Sequence, residues 1–101
     1  MITLPKAGFL TDGKKFFDNG DLDSAEMNFK KMLHHNPEHA ACHYMLGLVY
    51  LNKNHINDGI KEVEKAVKKV PWKKEWRETL IKAYDVIGEP DRIKQFDGGV
   101  D

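Results

Sequence analysis

Residues 40–71 read AACHYMLGLVYLNKNHINDGIKEVEKAVKKVP. Two apolar stripes run through this stretch at helical spacing, the first formed by Cys42, Met45, Leu46, Val49 and Tyr50 and the second by Ile56, Gly59, Ile60, Val63, Ala66, Val67 and Val70. Apolar residues that recur every three or four positions share one face of an α-helix. Asn54 stands between the stripes, and asparagine tolerates the positive φ angle that often ends a helix. The stretch therefore predicts two amphipathic helices joined by a short turn.

The same pattern recurs on both sides of this stretch at an interval of 34 residues, which is the distance from Pro37 to Pro71. Residues of matching type share this interval in several sets: Phe16, Tyr50 and Tyr84; Gly20, Asn54 and Gly88; Gly13 and Gly47; Leu46 and Leu80. A fixed period of this length is typical of arrays in which each helical hairpin buries its apolar face against the next. Because no segment shows the sustained alternation of a strand, we predict an all-α fold with helices near 6–18, 22–35, 39–52, 56–69, 73–87 and 90–96.

This helix–turn–helix repeat resembles the tetratricopeptide repeat (TPR) family, whose characteristic small and aromatic positions can be followed through most of the chain. In the first repeat, counted from Lys6, they fall on Phe9, Gly13, Phe16, Gly20, Ala25, Phe29 and Pro37; in the second, from Ala40, on Leu46, Gly47, Tyr50, Asn54, Gly59, Ala66 and Pro71; in the third, from Lys74, on Leu80, Tyr84 and Gly88. The resemblance implies a right-handed helical repeat array of about two and a half repeats. Residues 1–101 are thus expected to form one TPR domain, with repeats at about 6–39, 40–73 and 74–97.

The resemblance also implies a function, because the first helix of each TPR lines a concave groove that binds a peptide or helix of a partner protein. The residues at groove-facing positions of this chain are Leu10, Lys14, Phe17, Tyr44, Leu48, Leu51, Asn52, Glu75, Glu78, Lys82 and Asp85, and Val86 occupies a further such position. Tyr44 is the expected anchor, since buried aromatic residues dominate interface energies. The acidic residues of the third repeat suggest a ligand with an apolar stripe and a basic flank. The expected protein is a non-catalytic interaction module or scaffold, with a homodimer as an alternative occupant of the groove.

Some TPR proteins hold the C-terminal carboxylate of a chaperone through a clamp of Lys, Asn and Arg side chains. The matching positions of this chain are Leu10, Lys14, Met45, Glu75 and Thr79. Only Lys14 could help to hold a carboxylate, and Glu75 would repel one. Binding of that kind is therefore not expected.

The two central helices carry predictions of their own. Gly47 and Gly59 occupy positions at which the two helices of a TPR approach closely, and a glycine inside a helix needs such a packing reason. The outer face of the second of these helices is charged, and Glu64 and Lys68 stand at the spacing of a favourable exposed ion pair. The last repeat breaks off at Asp97, where the earlier repeats have apolar residues, so we expect a short final helix and a weakly capped edge.

Histidines cluster near the second repeat, at His34, His35, His39 and His43, with Cys42 among them. His39 and His43 stand four residues apart, which is a metal-ligand spacing on a helix, and a cysteine beside a histidine can form a nucleophile. A small metal-binding or enzymatic protein that uses this His34–His43 cluster is therefore an alternative. Cys42 lies on an apolar stripe, however, where cysteine behaves as a small hydrophobe. We expect no metal, no cofactor and no catalysis.

A second alternative is nucleic-acid binding through the segment from Lys68 to Arg77, which interleaves Trp72 and Trp76 with lysines. Charge and aromatic stacking together can hold a single strand. The simpler interpretation is a turn between repeats in which the tryptophans pack and the lysines are solvated. The chain as a whole carries 16 basic and 16 acidic residues, and this balance disfavours a nucleic-acid partner.

Composition limits the remaining classes of protein. Of the 101 residues, 41% are hydrophobic and 32% are charged, which is too apolar for a disordered chain. A single cysteine excludes an internal disulfide. No apolar run approaches the roughly 20 residues of a transmembrane helix, and the first residues lack the features of a signal peptide. We therefore expect a cytoplasmic protein without membrane insertion.

Overall fold

The computed structural model describes the backbone of residues 5–97 and the side chains of residues 10–97. This part of the chain forms five α-helices, α1 (Pro5–Asp18), α2 (Leu22–His35), α3 (Ala40–Asn52), α4 (Ile56–Lys69) and α5 (Lys74–Val86), followed by a short 3₁₀-helix, η1 (Pro90–Phe96). Residues 5–97 contain no strand. The all-α prediction is confirmed, and every predicted helix boundary lies within one residue of the observed one.

The three turns at the interval of 34 residues share one backbone geometry. Their central residues all have positive φ angles: Gly20 at 82°, Asn54 at 65° and Gly88 at 74°. In each turn the next N–H group donates back to the carbonyl of an aromatic residue: Asp21 to Phe16 at 2.9 Å, His55 to Tyr50 at 2.8 Å and Glu89 to Tyr84 at 2.8 Å. This is the Schellman motif, which satisfies the last carbonyl groups of a helix and turns the chain sharply. The repeat seen in the sequence is therefore a repeat of the helix stop.

Helices α3 and α4 approach each other at Gly47 and Gly59, as predicted. A Cβ atom placed on either glycine would lie 3.1 Å from the carbonyl oxygen of the other. A Cβ on Gly47 would also lie only 2.5 Å from the Cγ2 atom of Val63. These two positions have no space for a side chain, and the absence of one lets the two backbones meet.

The core consists of two clusters that follow one another along the stack. The first joins α2 to α3 and contains Ala25, Phe29, Met32, Cys42, Leu46 and Val49. The second joins α4 to α5 and contains Ile60, Val63, Ala66, Val67, Trp76, Leu80, Ala83 and Tyr84. Each helix packs mainly on the helices next to it in sequence, as expected of a repeat array. This arrangement leaves one face of α3 and α5 uncovered.

The last repeat ends in η1 instead of a second α-helix. Ile93 and Phe96 pack against the second core cluster. The carboxylate of Glu64 on α4 accepts hydrogen bonds from the Tyr84 hydroxyl and from Nη2 of Arg92, the latter at 2.9 Å. Burial of the Tyr84 hydroxyl and its bond to Glu64 raise its pKa. This polar contact ties η1 to both helices beneath it.

The sequence-based pairing of Glu64 with Lys68 is wrong. The carboxylate of Glu64 is instead occupied by Tyr84 and Arg92, which lie 20 and 28 residues away in sequence. Within residues 10–97, Lys68 forms no ion pair. Glu64 is a half-buried link between α4, α5 and η1, because η1 folds over the face of α4 that the pattern assigned to solvent.

Candidate functional site

A hollow of about 300 Å³ lies between α3 and α5. Its lining residues are Leu48, Leu51, Asn52, Ile56, Thr79, Lys82, Ala83 and Val86. Leu48, Leu51, Asn52 and Lys82 were all predicted to face the groove, and the structure brings them together. Val86 is 69% exposed, so the hollow presents apolar surface to solvent. We call this set of eight residues the α3–α5 hollow.

Tyr44 lies one helical turn before Leu48 and already has partners within the protein. Its ring stacks on Trp76 with the centroids 5.1 Å apart. Its hydroxyl lies 2.8 Å from the Oγ1 atom of Thr79, which in turn donates to the carbonyl of Glu75 at 3.1 Å. Because the single proton of Thr79 is used on that carbonyl, Tyr44 is the donor to Thr79. Tyr44 thus links α3 to α5 through Trp76 and through Thr79, and Thr79 also lines the α3–α5 hollow.

The remaining predicted groove residues do not line the hollow. Leu10 and Phe17 of α1 are half-buried and pack against the first core cluster. Lys14 is exposed on the same helix. On α5, the acidic side chains of the predicted set are exposed, and they are Glu75, Glu78 and Asp85. The hollow is therefore apolar inside, with exposed negative charge on one of its two helices.

Sequence reasoning missed two lining residues, Ile56 and Ala83, and it named a third, Thr79, only as a position of the carboxylate clamp. Ile56 was assigned to the apolar stripe of α4, but it is the first residue of that helix and sits beside the end of α3. Ala83 is 4% exposed and stands between two larger residues, so no pattern of charge or size singles it out. Both positions follow from how α3, α4 and α5 meet.

The histidine cluster is divided among separate structural roles. The Nδ1 atom of His39 accepts the backbone N–H of Cys42 at 3.0 Å and caps α3. His43 contacts Glu62 through Nδ1 and the carbonyl of Pro37 through Nε2, each at 2.7 Å. Across residues 10–97, no group of three or more His, Cys, Asp or Glu side chains could hold a metal ion. The geometry offers no metal centre in this part of the chain.

Cys42 is fully buried, and its thiol donates to the carbonyl of Phe29 at 3.3 Å. Burial raises the pKa of the thiol to about 12, and the negative charge of Glu62 acts in the same direction. The thiol is therefore protonated at neutral pH, whereas a cysteine nucleophile needs the thiolate.

The two tryptophans of the segment from Lys68 to Arg77 differ in environment. Trp76 is buried in the second core cluster, whereas Trp72 is 78% exposed. The expectation that both pack is wrong for Trp72, which lies in the turn between α4 and α5 and is exposed there. Arg77 forms an ion pair with Asp97 and is not part of an open basic surface.

None of the helices formed by residues 5–97 combines the length and the apolar character that crossing a membrane requires.

Comparison with known proteins agrees with the repeat architecture. A family model described as a tetratricopeptide repeat matches residues 16–78. Two crystal structures of MamA are similar to this chain. One has 22% identity and a TM-score of 0.82 over 90% of this chain and 53% of the MamA chain. The other has 25% identity and a TM-score of 0.82 over 91% and 52%. The chain thus spans about half the length of these MamA chains.

A third similar structure is the TPR2B domain of yeast Sti1 in complex with pHsp70, with 17% identity and a TM-score of 0.83 over 93% of this chain and 75% of that one. No curated protein sequence matches the chain. The family match covers more than half of the residues, and the fold, the period and the turns agree with it. The chain therefore belongs to the tetratricopeptide repeat family and is a protein-interaction module of that family.

Proposed function

We propose that this protein is non-catalytic and binds a peptide or helix of a partner protein in the α3–α5 hollow. The observation that carries the proposal is the lining of that hollow. Leu48, Leu51 and Val86 supply an apolar surface, and Asn52, Thr79 and Lys82 supply polar groups beside it. Apolar surface with a few polar groups is the usual character of a binding site for side chains of a partner.

The chemistry of the ligand follows from size and charge. A volume of about 300 Å³ is at the small end of ligand sites and suits roughly one or two apolar side chains. Asn52 donates through Nδ2 to the carbonyl of Leu48 at 2.7 Å, which leaves its side-chain oxygen able to accept a hydrogen bond from a ligand backbone. Exposed Glu75, Glu78 and Asp85 favour a basic flank on the ligand.

The structure of the Sti1 TPR2B domain is that of a complex with pHsp70, which supports the proposal because a domain of this fold binds a partner. The buried, protonated thiol of Cys42 and the separate structural roles of His39 and His43 support the proposal that the protein is non-catalytic. We also propose a cytoplasmic location, because a single, buried cysteine is compatible with a reducing compartment.

The test uses two exposed apolar residues of the same helix. Val86 lines the hollow, whereas Ile81 is 40% exposed on α5 and does not. Peptides are selected from a displayed library on the immobilised protein, and their affinities are measured by fluorescence polarisation for Val86→Asp and Ile81→Asp. We expect Val86→Asp to weaken binding at least ~10-fold and Ile81→Asp to leave it within about twofold.

Circular dichroism shows whether each variant keeps its helices. Equal binding by both variants would exclude the hollow as the site. Sedimentation at increasing protein concentration tests whether a second copy of the chain occupies the hollow instead of a partner peptide. Self-association that Val86→Asp abolishes would identify that second copy as the occupant.

A further inference from the structure

The turn between α4 and α5 concentrates positive charge around an exposed aromatic ring. Residues 65–74 include five lysines and no acidic residue. We use the name basic turn for residues 68–74, which hold Lys68, Lys69, Trp72, Lys73 and Lys74. None of these residues lines the α3–α5 hollow, so the basic turn is a separate surface.

The stability of the helices explains only half of this charge. Lys68 and Lys69 lie in the last turn of α4, where positive charge is favourable beside the negative end of the helix dipole. Lys73 and Lys74 lie at the N-terminal end of α5, where the helix dipole is positive: Lys73 is the N-cap and Lys74 the first residue of that helix. Lys73 forms no side-chain cap bond, and helix N-termini favour Ser, Thr, Asp or Asn and negative charge. These two lysines therefore oppose the local requirements of folding.

Few acidic groups neutralise the basic turn. Lys69 pairs with Glu38 at 2.6 Å, and Lys73 lies over the buried ring of Trp76 at 5.4 Å. Within residues 10–97, neither Lys68 nor Lys74 forms an ion pair. The surface consequently keeps uncompensated positive charge that is open to an anionic partner.

Lys68 also borders two concave regions of the outer surface. One has a volume of about 530 Å³ and is lined by Pro37, Glu38, His43, Lys65, Lys68 and Lys69. The other has a volume of about 440 Å³ and is lined by Lys61, Glu64, Lys65, Lys68, Gln95 and Phe96. An extended chain docked at the basic turn can continue into either region, which gives the lysines of α4 further acidic contacts.

Trp72 supplies the apolar part of the surface. It is 78% exposed. A partner that covers this large aromatic ring removes apolar surface from water, which stabilises the complex. Tryptophan is also enriched among the residues that dominate interface energies. An exposed tryptophan flanked by lysines thus selects a ligand that combines negative charge with an apolar side chain.

We propose that the basic turn is a second docking surface, which binds an acidic segment of a partner protein through carboxylates on Lys68, Lys73 and Lys74 and through an aromatic or aliphatic side chain on Trp72. A short acidic segment fits better than a nucleic acid. Glu38 already pairs with Lys69 and Glu75 directly follows the turn, so the uncompensated positive charge covers only a short surface, which suits a few carboxylates better than a long phosphate backbone. The zero net charge of the chain gives no long-range attraction to a polyanion.

The test follows the fluorescence of Trp72 while the acidic peptide EEDFEEDE is titrated into the full chain at low ionic strength. Trp76 is already buried, so a shift of the emission to shorter wavelength reports on Trp72, and Trp72→Phe should abolish the shift. We expect the triple variant K68Q/K73Q/K74Q to weaken binding ~10-fold or more. The same peptide with alanine in place of phenylalanine should bind several times more weakly.

The matched control is K15Q/K31Q/K94Q, which removes the same charge from exposed lysines outside both the basic turn and the α3–α5 hollow and should leave the affinity within about twofold. The altered lysines are exposed, and circular dichroism verifies the fold. Val86→Asp should also bind the acidic peptide normally, which separates this surface from the α3–α5 hollow.

Several results would overturn the proposal. The absence of an emission shift would show that no acidic segment docks at Trp72, and equal losses in the two lysine variants would show a non-specific charge effect. Tighter binding of a short oligothymidylate or of phosphatidylserine vesicles would assign the surface to nucleic acid or membrane. A shift that grows with protein concentration in the absence of peptide would identify a second copy of the chain as the occupant.

Discussion

Replacing Gly47 with alanine should destabilise the protein, although the same change in an open helix is stabilising. Alanine exceeds glycine in helix propensity by about 1 kcal/mol. The new methyl group, however, would lie 2.5 Å from the Cγ2 atom of Val63, about 1 Å inside the ordinary separation of two carbon atoms. Val63 is fully buried, and its branched side chain has one strongly preferred rotamer in a helix. The side chain of Val63 therefore has no space in which to move away from the new methyl group.

The magnitude follows from these opposing effects. Overpacking of a buried position costs about 1–3 kcal/mol. We take the upper end, because the methyl group would also lie 3.1 Å from the backbone oxygen of Gly59. After subtraction of the propensity gain, the expected loss is about 2 kcal/mol, which corresponds to a decrease in Tm of about 8 °C or more for a domain of this size. Gly47→Leu should cost more than about 2 kcal/mol for the same reason.

The assay is urea unfolding of Gly47→Ala, Val63→Ala and the double variant. Because Val63 supplies the nearest clashing atom, Gly47→Ala should cost at least about 1 kcal/mol less when Val63 is already alanine. The reasoning is refuted if Gly47→Ala raises the stability of the protein, as propensity alone would predict. Additive free energies in the double variant would show that Val63 is not the source of the cost.

Three further predictions concern buried or paired side chains. Glu64→Ala removes the acceptor of Tyr84 and Arg92 and should cost about 1–3 kcal/mol; unchanged hydrogen exchange at residues 90–96 would contradict this. The pKa of Glu26 is lowered chiefly by its hydrogen bond with Lys30 and, against the opposing effect of burial, by Lys53. Its contribution to stability is therefore present above about pH 4.3, the ordinary pKa of glutamate, and is lost as the pH falls below that value, so Glu26→Gln should flatten the acid decline in urea unfolding. Cys42 should not react with a thiol reagent at pH 8 in the native protein and should react in urea, whereas rapid native reaction would contradict its burial.

The fold was predictable because its determinants are local. A helix stop needs a residue that accepts positive φ, and the chain places Gly20, Asn54 and Gly88 at equal intervals. The apolar stripes between these stops define which face of each helix is buried. Helix boundaries follow from residues only a few positions apart, and the close approach at Gly47 and Gly59 joins two helices that are consecutive in the chain.

The candidate site was predictable only in part. The positions of Leu48, Leu51, Asn52 and Lys82 followed from the repeat, and the structure brings them together in the α3–α5 hollow. The environment of Tyr44 did not follow, because its partner Thr79 lies 35 residues away. Repeat position indicates which way a side chain points, but it does not show which residue of the next repeat meets it.

The sequence by itself determined the class of fold, the number and order of the helices and the location of the turns, since hydrophobic period and helix termination act over short distances along the chain. Only the tertiary structure decided the environments of Glu64 and Trp72, which the sequence pattern does not distinguish from similar residues nearby. Glu64 became a half-buried acceptor because η1 folds across α4 and brings Arg92, 28 residues further on, to its carboxylate. Trp72 became exposed because it lies in the turn between α4 and α5, whereas Trp76 became core because it lies on α5, within the second core cluster and against Tyr44 of α3. Such outcomes depend on how the helices pack, because residues distant in sequence decide which side chains are buried and which charges are neutralised.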